Sequence, residues 1–273
     1  MLIVRIGAVV SKPITVADII RYDVVPFQMT LDFMLDENMT CFQLFLSLVF
    51  VGLSHVHSVT AADEVRDYFV FLTTGKSTQG IATEIIQQKQ ASHLENFGRL
   101  AKLGSLTAAG PCADPNKRTR GIVIIKAGSI ADAESKFGPD PFVSEGYMNA
   151  ELHQYEVIVG KLHLVTEVTS MEESVIVIVG RGPKWIEKRT QEELITSNLS
   201  IFAKGQFEEG KLGFAAQFRH PSNNDSGRIA VMIFRGKDIA AVRKTLEASE
   251  LMRDELITFQ AFPQYLVKGA LGE

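Results

Sequence analysis

One apolar pattern occurs twice in this chain, and it constrains the fold more than any other feature of the sequence. Ser129 and Asp238 are both good helix N-caps. Apolar residues follow each of them at the same helical spacing: Ile130, Ala133 and Phe137 in the first case, and Ile239, Val242 and Leu246 in the second. A stripe repeated at identical spacing rarely arises by chance, so the sequence predicts two copies of one structural unit.

β-rich segments surround this helix in both copies. They cover residues 67–73, 122–125 and 152–159 in the first copy, and 174–180, 229–234 and 257–267 in the second. A longer helix with apolar residues at helical spacing is predicted after the first strand of each copy. Each unit is therefore predicted to be β-α-β-β-α-β, the ferredoxin-like arrangement of the α+β class, with both helices on one face of an antiparallel sheet.

The other face of each sheet needs a cover, and the second copy is the obvious one. We predict an internal pseudo-dimer in which residues 62–160 form the first repeat, 161–173 a linker and 174–273 the second repeat. Further association of chains into a homo-oligomer stays open.

Residues 1–61 are predicted to be a leader with a signal-peptide-like segment at 39–61. The apolar run at 41–53 is shorter than the roughly 20 residues that a spanning helix needs. Val59 and Ala61 suit the small-residue positions before a cleavage site. This pattern predicts cleavage after Ala61 and export to the periplasm or outside.

The residues before the apolar run fit an export signal less well than the run itself does. Asp36 and Glu37 are acidic where an export signal has basic residues, and residues 1–40 precede the run. A start at Met39 would remove the long extension. The alternative is an uncleaved membrane-proximal helix or an ordinary buried one, and the alternative localisation is cytoplasmic.

Composition excludes several classes of function. The net charge is −4 and basic residues are scattered, so nucleic acid is an unsuitable partner. The two cysteines, Cys41 and Cys112, lack neighbouring ligands at metal spacing, and the sequence has no glycine loop for phosphate. We therefore expect no metal and no cofactor.

Two residues of the first repeat are candidates for chemistry. His93 lies four residues before Phe97, on the edge of the helical stripe that faces the sheet. Asp140 lies between Pro139 and Pro141, which end the preceding helix and leave its carboxylate in a loop. The competing interpretations are a structural histidine and a helix cap. Glu95, Tyr147 and His153 have no spacing that separates them from surface residues.

The first repeat resembles the YCII-related family over residues 67–158. The residues that carry the resemblance are His93-Leu94, Gly104, Ala109-Gly110-Pro111 and Asp140-Pro141-Phe142. The resemblance implies a ferredoxin-like fold that pairs as a dimeric α/β barrel, with His93 and Asp140 as the catalytic pair. The second repeat departs at each point, with Asn198, Ala216-Gln217 and Ser249-Glu250-Leu251. It is interpreted as a copy that keeps the fold and lacks the chemistry.

Residues near these motifs are predicted to contact a small-molecule substrate. Gly110, Pro111 and Phe142 belong to the same motifs, and Arg118 and Arg120 could hold an anionic group, although a solvated hairpin tip explains the two arginines as well.

If His93 and Asp140 meet, the carboxylate would fix the imidazole tautomer and leave the other nitrogen for proton transfer. No serine or cysteine motif for covalent catalysis is present, so a lyase or isomerase is the expected enzyme. The resemblance points the same way, because the family includes a dehydrochlorinase of a chlorinated hydroxyquinol. The alternative is a non-catalytic module that binds a ligand or a partner. A hydrogen-bonded pair that opens onto a cavity would favour the enzyme, and a buried or separated pair the module.

Overall fold

The computed structural model describes residues 65–165, 170–222 and 226–272. The predicted leader and its cleavage site lie outside these residues. Among the helices of the described part, none is long and apolar enough to cross a membrane.

The same order of elements occurs twice. The first half contains β1 (Arg66–Thr74), α1 (Thr83–Lys102), β2 (Leu106–Pro111), β3 (Thr119–Ala127), α2 (Ile130–Ser135), α3 (Pro141–Ser144) and β4 (Met148–Gly160). The second contains β5 (Met171–Arg181), α4 (Arg189–Glu208), β6 (Leu212–Ser222), β7 (Arg228–Arg235), α5 (Ile239–Glu247), α6 (Glu250–Arg253) and β8 (Ile257–Val267). The second helix of each unit is thus divided into two short helices, which the sequence pattern did not predict.

All strand pairs are antiparallel and form one eight-stranded sheet in the order β2-β3-β1-β4-β6-β7-β5-β8. The two halves join through β4 and β6. The outer strands β2 and β8 also approach each other, since Cys112 bridges to Gln264 and the Ala113 amide donates to the Pro263 carbonyl over 2.8 Å. The sheet therefore curls into a barrel, which confirms the predicted fold: two ferredoxin-like units arranged as a dimeric α/β barrel within one chain.

Successive side chains along each strand point to opposite faces of the sheet, and both faces are buried. In β1, Phe69 and Phe71 join a cluster that draws side chains from both halves, and this cluster fills the barrel. Tyr68, Val70 and Leu72 point the other way, against α1 and the neighbouring helices. A third cluster lies under the helices of the second half. Because both faces are covered, the strands read as continuous apolar runs.

Gly110 lies where β2 and β8 approach most closely. A Cβ atom at this position would lie 1.9 Å from the main-chain oxygen of Tyr265 and 3.2 Å from Leu266 Cδ2. The obstructing atom belongs to the backbone, so it cannot turn aside. The requirement for glycine at residue 110 therefore comes from closure of the barrel.

Gly110→Ala is expected to lower the free energy of unfolding by about 1–3 kcal/mol, because it forces β2 and β8 apart. Gly98 in α1 provides a matched control, since a Cβ atom there meets nothing within 4 Å. Gly98→Ala should instead stabilise the protein by about 0.5–1 kcal/mol through the helix propensity of alanine. Urea unfolding of both variants measures the difference, and equal effects would contradict the closed barrel.

Candidate functional site

His93 and Asp140 come from different elements on the helix-covered side of the first half. His93 lies on the inner face of α1 with Leu100, and its exposed fraction is 7%. Asp140 is the N-cap of α3, where Pro141 begins the helix, and the Asp140 Oδ1 atom accepts a hydrogen bond from the Phe142 amide over 3.0 Å. Asp140 is completely buried. The cap interpretation of Asp140 is thus correct for one of its oxygens.

The second oxygen of Asp140 binds the histidine. Asp140 Oδ2 lies 2.6 Å from His93 Nδ1, so the two predicted residues do meet. With both carboxylate oxygens occupied and no water-exposed surface, the arrangement favours a proton on Nδ1 in the neutral ring. Within the described part of the chain, nothing pairs with His93 Nε2. That nitrogen is therefore the one that can exchange a proton with a bound molecule.

Aromatic rings hold the imidazole in place. The Phe97 ring centroid lies 4.5 Å from that of His93, and the Phe142 centroid lies 5.7 Å away in an edge-on contact. Phe142 in turn contacts Tyr147 edge-on at 6.4 Å. The imidazole is fixed by packing on its faces and by Asp140 at its edge, which limits rotation of the ring.

Two lysines lie beside this aromatic group. Lys89 precedes His93 by one helical turn, so its side chain shares the face of α1 that carries His93, and it forms an ion pair with Glu145. The Nζ atoms of Lys76 and Lys89 lie 4.2 Å and 5.5 Å from the Tyr147 ring centroid. Neither lysine was predicted from the sequence. The spacing of Lys89 from His93 was a usable signal, whereas Lys76 reaches the site only through the fold.

The other predicted substrate contacts lie elsewhere, except Phe142. Gly110 is at the barrel seam, and the exposed residues Pro111, Arg118 and Arg120 belong to the β2–β3 hairpin. Asp114 shapes that hairpin, because its carboxylate accepts hydrogen bonds from the amides of Asn116, Arg118 and Thr119, each at 2.9 Å. Among the described residues, no contact joins these four predicted residues to His93. Their role as substrate contacts stays a prediction.

The second half carries different residues at the matching positions. His93 and Leu199 occupy the same place in their 20-residue helices, and both are buried. The prediction that Asn198 replaces His93 is therefore one residue out of register, and the Asn198 amide donates to the Leu194 carbonyl of its own helix. Ser249 does take the place of Asp140 as N-cap, but its side chain makes no capping hydrogen bond.

A second polar group is buried inside the barrel. Glu151 and His153 lie on β4 opposite Phe71 and Phe69 of β1, so their side chains face the interior of the barrel. His153 Nε2 lies 2.7 Å from Glu151 Oε1, and Arg228 Nε lies 3.4 Å from the same oxygen. Ser226 also donates to it. No spacing in the sequence predicts this group, because Glu151 and Arg228 belong to different halves.

Burial alone would raise the pKa of Glu151, but the hydrogen bonds from His153 and Ser226 and the charge of Arg228 outweigh it, so the pKa lies below its usual value of 4.5. A carboxylate with a lowered pKa stabilises the folded state above its unfolded pKa and loses that contribution as the pH falls through the folded pKa. The free energy of unfolding should therefore decrease below pH 4.5. In urea unfolding at a series of pH values, Glu151→Gln should reduce this decrease. An unchanged pH dependence in Glu151→Gln would contradict the assignment.

Comparison with known proteins adds little to this geometry. No protein-family model matches the chain, and neither does any curated protein sequence. Similar solved structures include a mutant chlorite dismutase from Candidatus Nitrospira defluvii, at 10% identity and a TM-score of 0.47 over 76% of this chain and 94% of that one. An anthrone oxidase-like protein matches at 10% identity and a TM-score of 0.44 over 76% and 94% of the two chains. The fold assignment rests on the strand order and the barrel closure themselves.

Proposed function

We propose that the first half carries a general acid/base site in which His93 transfers protons to and from a small organic anion. The observation that carries the proposal is the state of Asp140, a fully buried carboxylate with one oxygen on the Phe142 amide and the other on His93 Nδ1. Such a carboxylate fixes the tautomer and orientation of an imidazole and leaves Nε2 to act.

Two reaction classes are compatible with proton transfer by His93 Nε2. Nε2 can take a proton from a carbon next to a carbonyl and return it to another atom, which is an isomerisation. Alternatively, the electron pair left by the proton can expel a leaving group, which is a lyase-type elimination. We also propose that the chain belongs to the YCII-related family, because it carries His93 and the Asp140-Pro141-Phe142 motif of that family.

The lysines support an anionic substrate. Lys89 pairs with Glu145, and the side chains of the two residues are 14% and 44% exposed, respectively. Glu145 is the more accessible partner, so a substrate carboxylate can take its place beside Lys89. Lys76 also contacts the Tyr147 ring and adds a second positive charge.

The alternative is a non-catalytic module in which the pair only ties α1 to α3. Two observations favour it: both residues are buried, and the second half keeps the fold with Leu199 and Ser249 at the matching positions. In that case the pair contributes to stability and nothing more.

A screen for proton exchange separates the two functions. Small organic anions with acidic C–H bonds are incubated with the protein in deuterated water, and deuterium incorporation is followed by NMR. We expect incorporation into at least one compound with the wild type and none above background with His93→Ala. Equal incorporation in both proteins would reject the enzyme, and no incorporation across the panel would favour the module.

A further inference from the structure

The second half contains a groove that the dyad does not use. It has a volume of about 870 Å³ and lies between the start of α4, the end of β5 and the middle of β6. Trp185, Ile186, Thr196, Ser197 and Gln217 form part of its wall. Pockets that hold small ligands typically have volumes of about 300–1,000 Å³, so the groove has the right size for a small molecule.

A smaller cavity continues the groove inward. It measures about 20 Å³, shares Trp185, Thr196 and Gln217 with the groove, and reaches Arg228 and Phe218. A polar cavity of this size accommodates one water molecule or one oxygen atom of a ligand.

Two hydrogen-bond donors are buried around this inner cavity without an acceptor. Neither Trp185 Nε1 nor Arg228 Nη1 has a partner among the described residues. Leaving a buried donor unpaired costs about 1–3 kcal/mol, and more for a charged one, so two such donors around one cavity indicate an acceptor that binds there.

Arg228 is held in place by its other contacts. Its Nε atom faces Glu151 at 3.4 Å, and its guanidinium carbon lies 4.1 Å from the Phe71 ring centroid. These contacts fix the plane of the guanidinium while leaving Nη1 available. A fixed guanidinium plane suits the geometry of carboxylate and phosphate groups.

Two other cations that line the groove, Arg181 and Arg189, are paired at its rim. Arg189 binds Glu193 over 2.8 Å with its side chain 90% exposed, and Arg181 binds Glu187 over 3.4 Å. Their charges contribute to the field over the opening, but they are not the unpaired donors.

We propose that this groove binds a small molecule that carries a planar carboxylate, or a phosphate, on an apolar body. One anionic oxygen enters the inner cavity and accepts hydrogen bonds from Trp185 Nε1 and Arg228 Nη1. The apolar body lies along Trp185 and Ile186 in the wider part of the groove. The site belongs to the second half and does not depend on the proposed acid/base chemistry of His93.

Trp185 reports directly on this site, because it is the single tryptophan of the chain. Titration with benzoate, followed by tryptophan fluorescence, should give a saturable change. Benzamide has the same shape without the negative charge and should bind at least about tenfold more weakly. Phenyl phosphate, tested in the same way, distinguishes a preference for phosphate from a preference for carboxylate.

Three variants locate the binding. Arg228→Gln should weaken benzoate binding at least about tenfold. Because this change also removes a partner of Glu151, Thr196→Phe serves as a second test, since it places a bulky side chain at the wall that both cavities share without altering charge. Arg189→Gln at the rim is the matched control and should change affinity little. Circular dichroism confirms that each variant is folded.

His93→Ala should leave benzoate binding unchanged, which separates this proposal from the acid/base function. Three outcomes would overturn the proposal: no saturable fluorescence change with benzoate or phenyl phosphate, equal affinity for benzamide, or unaltered binding in Thr196→Phe. Any of these would mean that the inner cavity does not bind an anionic group.

Discussion

His93→Ala is expected to slow proton transfer by about 10²–10⁴-fold, the usual contribution of a positioned acid/base group. Nε2 is the only atom of the dyad that can reach a bound molecule, because Asp140 is buried and both of its oxygens are occupied. The loss should appear in kcat, since alanine removes the reacting group and leaves the lysines that attract the anion.

Lys89→Met provides the matched comparison. It removes a charge next to the site and keeps the length of the side chain, so it should raise KM and leave kcat within a few-fold. The rate of deuterium incorporation at low and at saturating substrate gives both parameters. A kcat for His93→Ala equal to that of the wild type would contradict a catalytic role for the histidine.

Asp140→Ala is expected to lower the free energy of unfolding by about 3–5 kcal/mol, the range seen when one partner of a buried pair is removed. The change deletes the cap of α3, worth about 1 kcal/mol, and leaves the buried His93 Nδ1 without a partner. Asp140→Asn should cost less, because an amide oxygen can still accept from the Phe142 amide. Urea unfolding gives all of these values.

The matching position of the second half offers a control within the same molecule. Ser249 is also an N-cap, but its hydroxyl is buried without a partner in the described structure. Ser249→Ala should therefore change stability by no more than about 0.5 kcal/mol in either direction. If Asp140→Ala had an effect as small as that of Ser249→Ala, the pair would contribute nothing to the contact between α1 and α3.

The sequence predicted the fold well because the fold depends on short-range periodicity. Repeated apolar stripes specify which face of each helix is buried, and β-rich runs specify strands that are covered on both sides. Closure of the barrel was harder to predict from the sequence. The Cys112–Gln264 bridge joins β2 to β8, and its only local sign is Gly110, which the sequence analysis assigned to a substrate contact.

The candidate site was predicted in part for the same reason. His93 and Asp140 belong to short motifs, and the side-by-side packing of α1 and α3 brings them together. Lys76 and Tyr147 come from distant segments, and no spacing links them to the dyad. The groove at Trp185 and Arg228 also depends on tertiary packing, so a comparison of motifs between the repeats could not reveal it.

The proposed function is tested most directly by measuring which nitrogen of the His93 ring is protonated. Long-range ¹H–¹⁵N NMR of the ¹⁵N-histidine-labelled protein distinguishes a protonated ring nitrogen from a bare one, and His93→Gln identifies the signals. We predict that the neutral ring carries its proton on Nδ1, held by Asp140, with Nε2 bare, and that Asp140→Asn disturbs this preference. A proton on Nε2 with Nδ1 bare, or a tautomer unchanged in Asp140→Asn, would contradict the claim that Asp140 prepares His93 for proton transfer.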